Sequence, residues 1–235
     1  TSALAADITG SGASVATKNI SNFEVLSISD SLAGDLDLAK IQATGLTTVT
    51  LANTTAAYTN AARSITFAAG DGAVNLAAVV GNAKLTLVSA GSGTNDSITL
   101  NRKEAAAGAT DIFNGQEIGT TGVETLTIDT AAGGKTTTSQ TLGAITLGAS
   151  TGGTTKLVVK GAAGVDGVGV LKAHEYDFSG MTGAFIMGAT ALQTLATGTT
   201  STTITGGSGN DELVGDADQA QTINGGAGND TINGG

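Results

Sequence analysis

The sequence predicts an all-β chain: a right-handed parallel β-solenoid body that runs into a C-terminal β-roll built from nonapeptide turns. Three observations carry that prediction. The composition is poor in residues that fill a conventional core, with 36 Gly, about forty Thr, 3% aromatic residues and no Pro, Cys or Trp in 235 residues. Small and β-branched residues suit thin stacked layers instead. Short stretches with an apolar residue at every second position recur along the chain, separated by Gly, Asn, Asp, Ser and Thr, and this alternation marks half-buried strands. The last thirty residues read GGSGNDELV, GDADQAQTIN, GGAGNDTIN, GG. Two of these units match the pattern G-G-x-G-x-D-x-U-x, in which U is a large apolar residue.

In chain order the strand candidates centre on Leu26/Ile28, Val49/Leu51, Ile65/Phe67, Val74/Leu76, Leu85/Leu87 and Ile98/Leu100, then on Leu126/Ile128, Ile145/Leu147, Leu157/Val159 and Phe185/Met187. Spacings of roughly 9 to 20 residues fit the rungs of a solenoid better than the even hairpins of a sandwich. A longer repeat is also visible. Asn22-Phe-Glu-Val-Leu-Ser-Ile28 parallels Gly122-Val-Glu-Thr-Leu-Thr-Ile128, and Gly91-Ser-Gly-Thr-Asn-Asp-Ser-Ile98 parallels Gly207-Ser-Gly-Asn-Asp-Glu-Leu213. These matches predict a first solenoid block over 1–121, a second over 122–205 and the nonapeptide repeats over 206–235. Helix-forming residues gather only at 102–108 and 170–176, enough for a turn or two in each place.

The nonapeptide pattern has a chemical reading. Ca²⁺ is a hard cation that takes six to eight oxygen ligands, from carboxylates and backbone carbonyls alike. A turn that aims several carbonyls inward needs residues free to take positive φ, and Gly206, Gly207, Gly209, Gly225, Gly226 and Gly228 stand at the turn positions. Asp211 and Asp230 each supply a carboxylate, while Leu213 and Ile232 fill the apolar position. Each nonapeptide is half a coil in such a roll, so the turn at Gly206 is expected to stack on the one at Gly225, 19 residues on. The middle unit departs from the pattern, because Gly215-Asp216-Ala217-Asp218 lacks the paired and the third glycine. Asp218 stays a ligand candidate there, and Asp96, which closes the Gly91 turn, is the equivalent candidate in the body. For Asp35, Asp37, Asp71 and Asp216 a solvated carboxylate is the ordinary reading beside a ligand role, and Asp35 and Asp37 are expected on one strand face.

Twenty acidic residues against ten basic ones give a net charge of −10 and a pI near 4.3. That balance disfavours nucleic acid or an anionic membrane as partner and favours divalent cations. The sequence has no run of 18 apolar residues of the kind that inserts into a membrane. Without Cys there is no disulfide to stabilise an extracellular chain, and bound metal is the natural substitute. The chain begins without Met and stops at Gly234-Gly235, the opening of another repeat, so it is expected to be a piece of something longer. No catalytic site is expected. Gly148-Ala-Ser150-Thr-Gly152 matches G-x-S-x-G, with Asp166 and His174 following, but a strand rather than the required helix comes after the Ser. His174 is the sole histidine, with no second His or Cys to build a zinc site around, and H-E-x-x-H is absent.

The units GGSGNDELV and GGAGNDTIN resemble the RTX repeats of proteins that Gram-negative bacteria export unfolded through type I secretion. The body resembles the calcium-dependent surface-layer proteins of that group in its Val123-Glu-Thr-Leu-Thr-Ile128 opening, its Thr/Ala/Gly-rich strands and the stretch Tyr176-Asp-Phe-Ser-Gly-Met-Thr-Gly183 ahead of the repeats. The resemblance implies β-solenoid subunits that tile the cell surface outside the cell, with Ca²⁺ held at Asp211 and Asp230 and their turn glycines. The partners it implies are other copies of the same protein in a lateral lattice, and cell-surface polysaccharide contacted through regions outside this sequence. The rival reading is a non-catalytic RTX repeat region of a larger secreted adhesin or hydrolase. The large apolar side chains of the repeats are only Leu213, Val214, Ile223 and Ile232, so this stretch is expected to need calcium to fold.

Overall fold

In the strand Thr125-Leu-Thr-Ile-Asp129, Leu126 and Ile128 are fully buried and the three polar residues are half-exposed. Successive side chains of an extended chain point to opposite faces, so such a sequence buries one row and solvates the other. A computed structural model shows this rule repeated along the chain; it describes residues 23–32, 34–41, 45–52, 62–68, 70–77, 84–91, 93–103, 111–131, 138–148, 153–188 and 201–235. The strands among them are β1 (Val25–Ile28), β2 (Leu36–Asp37), β3 (Thr48–Leu51), β4 (Arg63–Phe67), β5 (Gly72–Leu76), β6 (Leu85–Ser89), β7 (Ser97–Arg102), β8 (Gln116–Thr121), β9 (Thr125–Asp129) and β10 (Gln140–Thr146). They continue with β11 (Lys156–Gly161), β12 (Val165–Val168), β13 (Leu171–Lys172), β14 (Glu175–Met181), β15 (Phe185–Ile186), β16 (Thr202–Thr205), β17 (Glu212–Val214), β18 (Gln221–Asn224) and β19 (Thr231–Asn233).

The chain alternates between two sheets. One has the order β1-β3-β5-β7-β9-β11-β14-β16-β18, and the other runs β2-β4-β6-β8-β10-β12-β15-β17-β19, with β13 also pairing to β10. Neighbouring strands are parallel throughout, as in β7 with β9 and β16 with β18. The fold is therefore all-β with two parallel sheets, an arrangement compatible with a β-solenoid. Strand pairing continues across positions 121/122 and 205/206, since β9 pairs both β7 and β11 and β16 pairs both β14 and β18. Among the described residues no helix is long and apolar enough to cross a membrane. The one helical segment among them is a 3₁₀ turn, Leu38–Ile41.

Register puts like residues on top of one another. In the first sheet Ile98, Leu126, Leu157, Tyr176, Ile204 and Ile223 form one inward column, and Leu26, Val49, Val74, Leu100, Ile128 and Val159 form another. The outward column Thr50, Asn75, Asn101, Asp129, Lys160 is polar and self-bonded. Asn75 Nδ2 donates to Thr50 Oγ1 at 3.0 Å, Asn101 Nδ2 donates to Asn75 Oδ1 at 3.0 Å, and Lys160 lies 3.6 Å from Asp129. Further along that face Lys156 bridges Glu175 and Asp177, each at 2.8 Å. Burial pushes the Asp177 carboxyl up, but hydrogen bonds from Lys156 and Ser179 outweigh it and hold it below its usual range.

One local expectation needs correction. Residues 170–176 form no helical turn: Leu171–Lys172 and the start of β14 are extended, because Leu171 and Tyr176 both face the core and the Tyr176 hydroxyl donates to Leu171 O at 3.2 Å. Asp35 and Asp37 flank the buried Leu36, with Asp35 just before β2 accepting from Ser64 N–H at 2.8 Å and Asp37 capping Ala39 N–H at 3.1 Å. The other helical expectation lies mostly outside the described residues. Arg102, its first residue, closes β7 as a buried side chain whose Nη1 donates to Thr130 O and Thr138 O, both at 3.3 Å.

Because each core column is one residue wide, a missing side chain leaves a void that neighbours above and below cannot fill. Leu126→Ala should cost about 2–5 kcal/mol. Thr127→Ala, on the outward face, should stay within about 0.5 kcal/mol. Urea unfolding followed by circular dichroism separates the two.

Candidate metal centre

Parallel strands run one way within each sheet, so turns leading from the first sheet to the second lie on one edge and the return turns lie on the other. At both edges the ladder stops and backbone N–H groups need other partners. Side chains that open the next rung supply them. Asp96 N–H donates to Glu124 Oε2 at 2.9 Å, Thr155 N–H to His174 Nδ1 at 3.0 Å, and Asp211 N–H to Asp230 Oδ1 at 3.0 Å. Ile112 N–H finds Gln140 Oε1 at 2.8 Å in the same way.

The first edge holds the two nonapeptide turns, stacked at the expected separation of 19 residues. Ala227 N–H donates to Gly207 O at 2.9 Å, Asn229 N–H to Asn210 Oδ1 at 2.9 Å, and Thr231 N–H to Asp211 O at 2.8 Å. Asp211 is 2% exposed and uses both oxygens: Oδ1 accepts from Phe185 N–H at 2.8 Å and Oδ2 from Gly207 N–H at 2.7 Å. Phe185 stacks on Phe178 with ring centroids 3.9 Å apart, so the aromatic rung of the 176–183 stretch is the floor on which this turn sits. Ser208 N–H anchors the turn to that rung through Met181 O at 2.9 Å.

The glycines serve two purposes rather than the one expected. Only Gly226 (φ 91°) and Gly228 (φ 112°) of the six take positive φ. The other four are required by close approach. A Cβ on Gly206 would overlap Gly225 O and fall 2.7 Å from Asp211 Oδ2, and one on Gly207 would fall 2.9 Å from Met181 Cβ. At Gly206, then, a carbonyl from one turn and a carboxylate from the other converge on a point that only a missing side chain leaves open. Among the described residues no three His, Cys, Asp or Glu side chains lie close enough to share a metal. The oxygen groups gathered at this edge are the Asp211 and Asp230 carboxylates and the turn carbonyls, a type of group that suits a hard cation.

Asp96 and Asp218 lie on the second edge, away from Asp211 and Asp230. The Gly91 and Gly207 turns thus match in sequence but lead in opposite directions between the sheets. Asp96 is buried, accepts from Ser89 Oγ at 2.7 Å, and sits where a Cβ on Gly91 would come within 3.2 Å of Oδ2. Asp71, one rung earlier, accepts from Ser97 N–H and Oγ at 3.0 and 2.8 Å. Asp218 is exposed, and its N–H donates to Asp216 Oδ1 at 2.9 Å. Sequence reasoning missed the residue that holds the motif's acidic place in the middle unit. Counting back two from Ile223, as Asp211 precedes Leu213 and Asp230 precedes Ile232, reaches Gln221.

The G-x-S-x-G match lies only in part within the described residues. Ser150 lies outside the described residues, Asp166 is exposed on an outward face, and His174 Nδ1 is taken by Thr155 N–H, which places the ring proton of the neutral imidazole on Nε2. No protein-family profile, no curated protein and no solved structure matches the chain.

Burial, and after it the charge of Asp230, pushes the Asp211 carboxyl above its ordinary value near 3.8, against the hydrogen bonds from Phe185 and Gly207. A carboxyl raised in the folded state favours folding while protonated. In metal-free protein its contribution should be fully present below the ordinary value and lost as pH rises through the raised one. In EDTA, ordering of the repeats should therefore be greatest at acid pH and decline as pH rises out of the carboxylate range, where calcium becomes necessary. In Asp211→Asn that dependence should shrink, which a pH series of circular dichroism spectra reads directly.

Proposed function

We propose that this chain is a structural segment of a secreted surface-layer protein, a right-handed parallel β-solenoid ending in an RTX-type β-roll, which folds and assembles on the cell surface with bound Ca²⁺. The observation that carries the reading is the stacked turn pair at 206–211 and 225–230, where two carboxylates and turn carbonyls meet over glycines that leave the space open. Asp211, Asp230 and the carbonyls of Gly206, Gly207 and Gly225 are the groups that would hold the ion. Bound Ca²⁺ would neutralise the like charges and join one rung to the next.

Charge distribution supports the same reading. Residues 206–235 contain five acidic side chains and no Lys or Arg, so the repeats hold no basic side chain of their own to neutralise the buried carboxylate. Right-handed coiling is the hand expected of parallel strands joined by crossovers. The outward face of the first sheet presents columns of Thr and Asn and surface ion pairs, a polar surface that identical copies could share. Repulsion between subunits of net charge −10 makes divalent cations a condition of that assembly. The surroundings outside the cell supply calcium at millimolar levels, and the N-terminal body would be present to template the repeats as they fold.

The test compares the full chain with an Asp211→Ala/Asp230→Ala variant, in EDTA and in millimolar CaCl₂. Calcium should raise the β signal of the chain, and the double variant should lose most of that rise while keeping the strand content of the body. Electron microscopy of the same samples should show ordered sheets in calcium only. A β signal in EDTA equal to that in calcium, or sheets that persist in chelator, would sink the proposal.

A further inference from the structure

We infer that Gln221 does for the 215–220 turn what a bound cation does for the turns on the opposite edge, so that the metal requirement of the repeats is confined to one edge of the stack. This rests on the calcium reading of the first edge and extends it to a residue that reading does not use.

Gln221 occupies the motif position of Asp211 and Asp230, two residues before the inward apolar one. Its side chain turns back beneath its own turn. Nε2 donates to Asp216 O in a short contact, lies 3.2 Å from Gln219 O and 3.4 Å from Gly234 O. Three carbonyls, drawn from two successive turns of the second edge, thus converge on one nitrogen that carries two hydrogens. Convergence of backbone carbonyls from stacked turns is the geometry that a hard cation answers, and here a neutral amide answers it. Gln221 Oε1 is buried without a partner and stands where a Cβ on Gly215 would overlap it, so the amide is held by its donor side alone. A carboxylate at this position has no hydrogen to give. It would face three carbonyl oxygens with like partial charge and would need a cation between. The choice of Gln over Asp at residue 221 therefore separates a turn sealed by the chain itself from a turn sealed by metal. Asp218, the nearest carboxylate by sequence pattern, is exposed and is not needed.

The experiment uses the full chain, Gln221→Ala, Gln221→Asp and the Asp211→Ala/Asp230→Ala control, each loaded with CaCl₂. Calcium stoichiometry is read by equilibrium dialysis and backbone protection by hydrogen exchange with mass spectrometry. Gln221→Ala should bind as many calcium ions as the parent chain, while amides of residues 216–220 exchange at least tenfold faster. Gln221→Asp should bind one more ion per chain and recover that protection only in millimolar calcium. Loss of one ion in Gln221→Ala would overturn the inference, because Gln221 would then be a ligand. So would unchanged exchange in Gln221→Ala, or no extra ion in Gln221→Asp. Failure of the calcium reading looks different: the parent chain and the double Asp control would bind equal amounts of calcium, whatever stands at residue 221.

Discussion

A parallel stack must satisfy backbone groups twice per coil at places where its ladders stop, and this constraint organises the chain. Within the sheets every strand lends its N–H and C=O groups to a neighbour. At the edges the backbone bends away and leaves N–H groups pointing toward the next rung, in a location too buried for water to serve. The chain answers by placing a polar side chain at the opening of the following rung. That is why Asp96, Glu124, Gln140, Thr155 and Asp211 are buried despite their polarity. Each accepts from, or offers its own backbone N–H to, a neighbour one rung away. Removing such an acceptor leaves a buried donor unmet, at about 1–3 kcal/mol each.

Seen against this constraint, the aspartates of the nonapeptide turns are a special case of a general device. In the body the device varies in chemistry: a Glu, a Gln and a His all serve, and loops of different lengths separate the rungs. In the repeats every coil is 19 residues long, a length the body shows from β11 to β14, leaving little loop to absorb a mismatch, and successive turns stand over one another at the strand spacing of about 4.8 Å. Stacking at that distance brings carbonyls and carboxylates of adjacent turns together, which suits an ion and repels in its absence. Glycine is the only residue whose backbone admits such an approach, hence its use at Gly206 without any need for positive φ.

Much of this was legible in the sequence, and what was not has identifiable causes. Strands with two large apolar residues at alternate positions, such as Thr48–Leu51 and Lys156–Gly161, announce themselves. β8, β12 and β16 do not, because Gln116–Thr121 and Thr202–Thr205 each carry a single large apolar side chain and Val165–Val168 is interrupted by Asp166 and a glycine. Missing β8 hides which edge a turn occupies, since each unseen strand reverses the count. That is how the Gly91 and Gly207 turns, alike in residues, come to be matched although they lie on opposite edges. The helix-forming residues at 170–176 misled for a different reason: propensity is a weak prior, and Leu171 and Tyr176 gain more from burial in the stack. Gln221 was legible in principle, since counting back from the apolar position finds it, but a search for carboxylates passes over an amide.

The stack as a whole therefore differs in character from one end to the other. In the body, edge groups are closed by side chains whose partners are neutral backbone groups or by a cation the chain itself provides, as with Arg102 beneath the carbonyls of Thr130 and Thr138. In the repeats, closure on the first edge falls to two carboxylates of like sign, one of them buried and raised in pKa by that burial and by its neighbour's charge. Burial of Asp211 is offset by backbone N–H groups of Phe185 and Gly207 rather than by a basic side chain, and the repeats contain no Lys or Arg. On the reading proposed here the body would fold from its own residues, while the repeats would wait for an ion. The aromatic rung of Phe178 and Phe185 lies at the junction, packed into the body on one side and bonded through Phe185 N–H to Asp211 on the other. Ordering of the first calcium turn would thus begin on a surface already fixed, and each later turn would require only the rung beneath it.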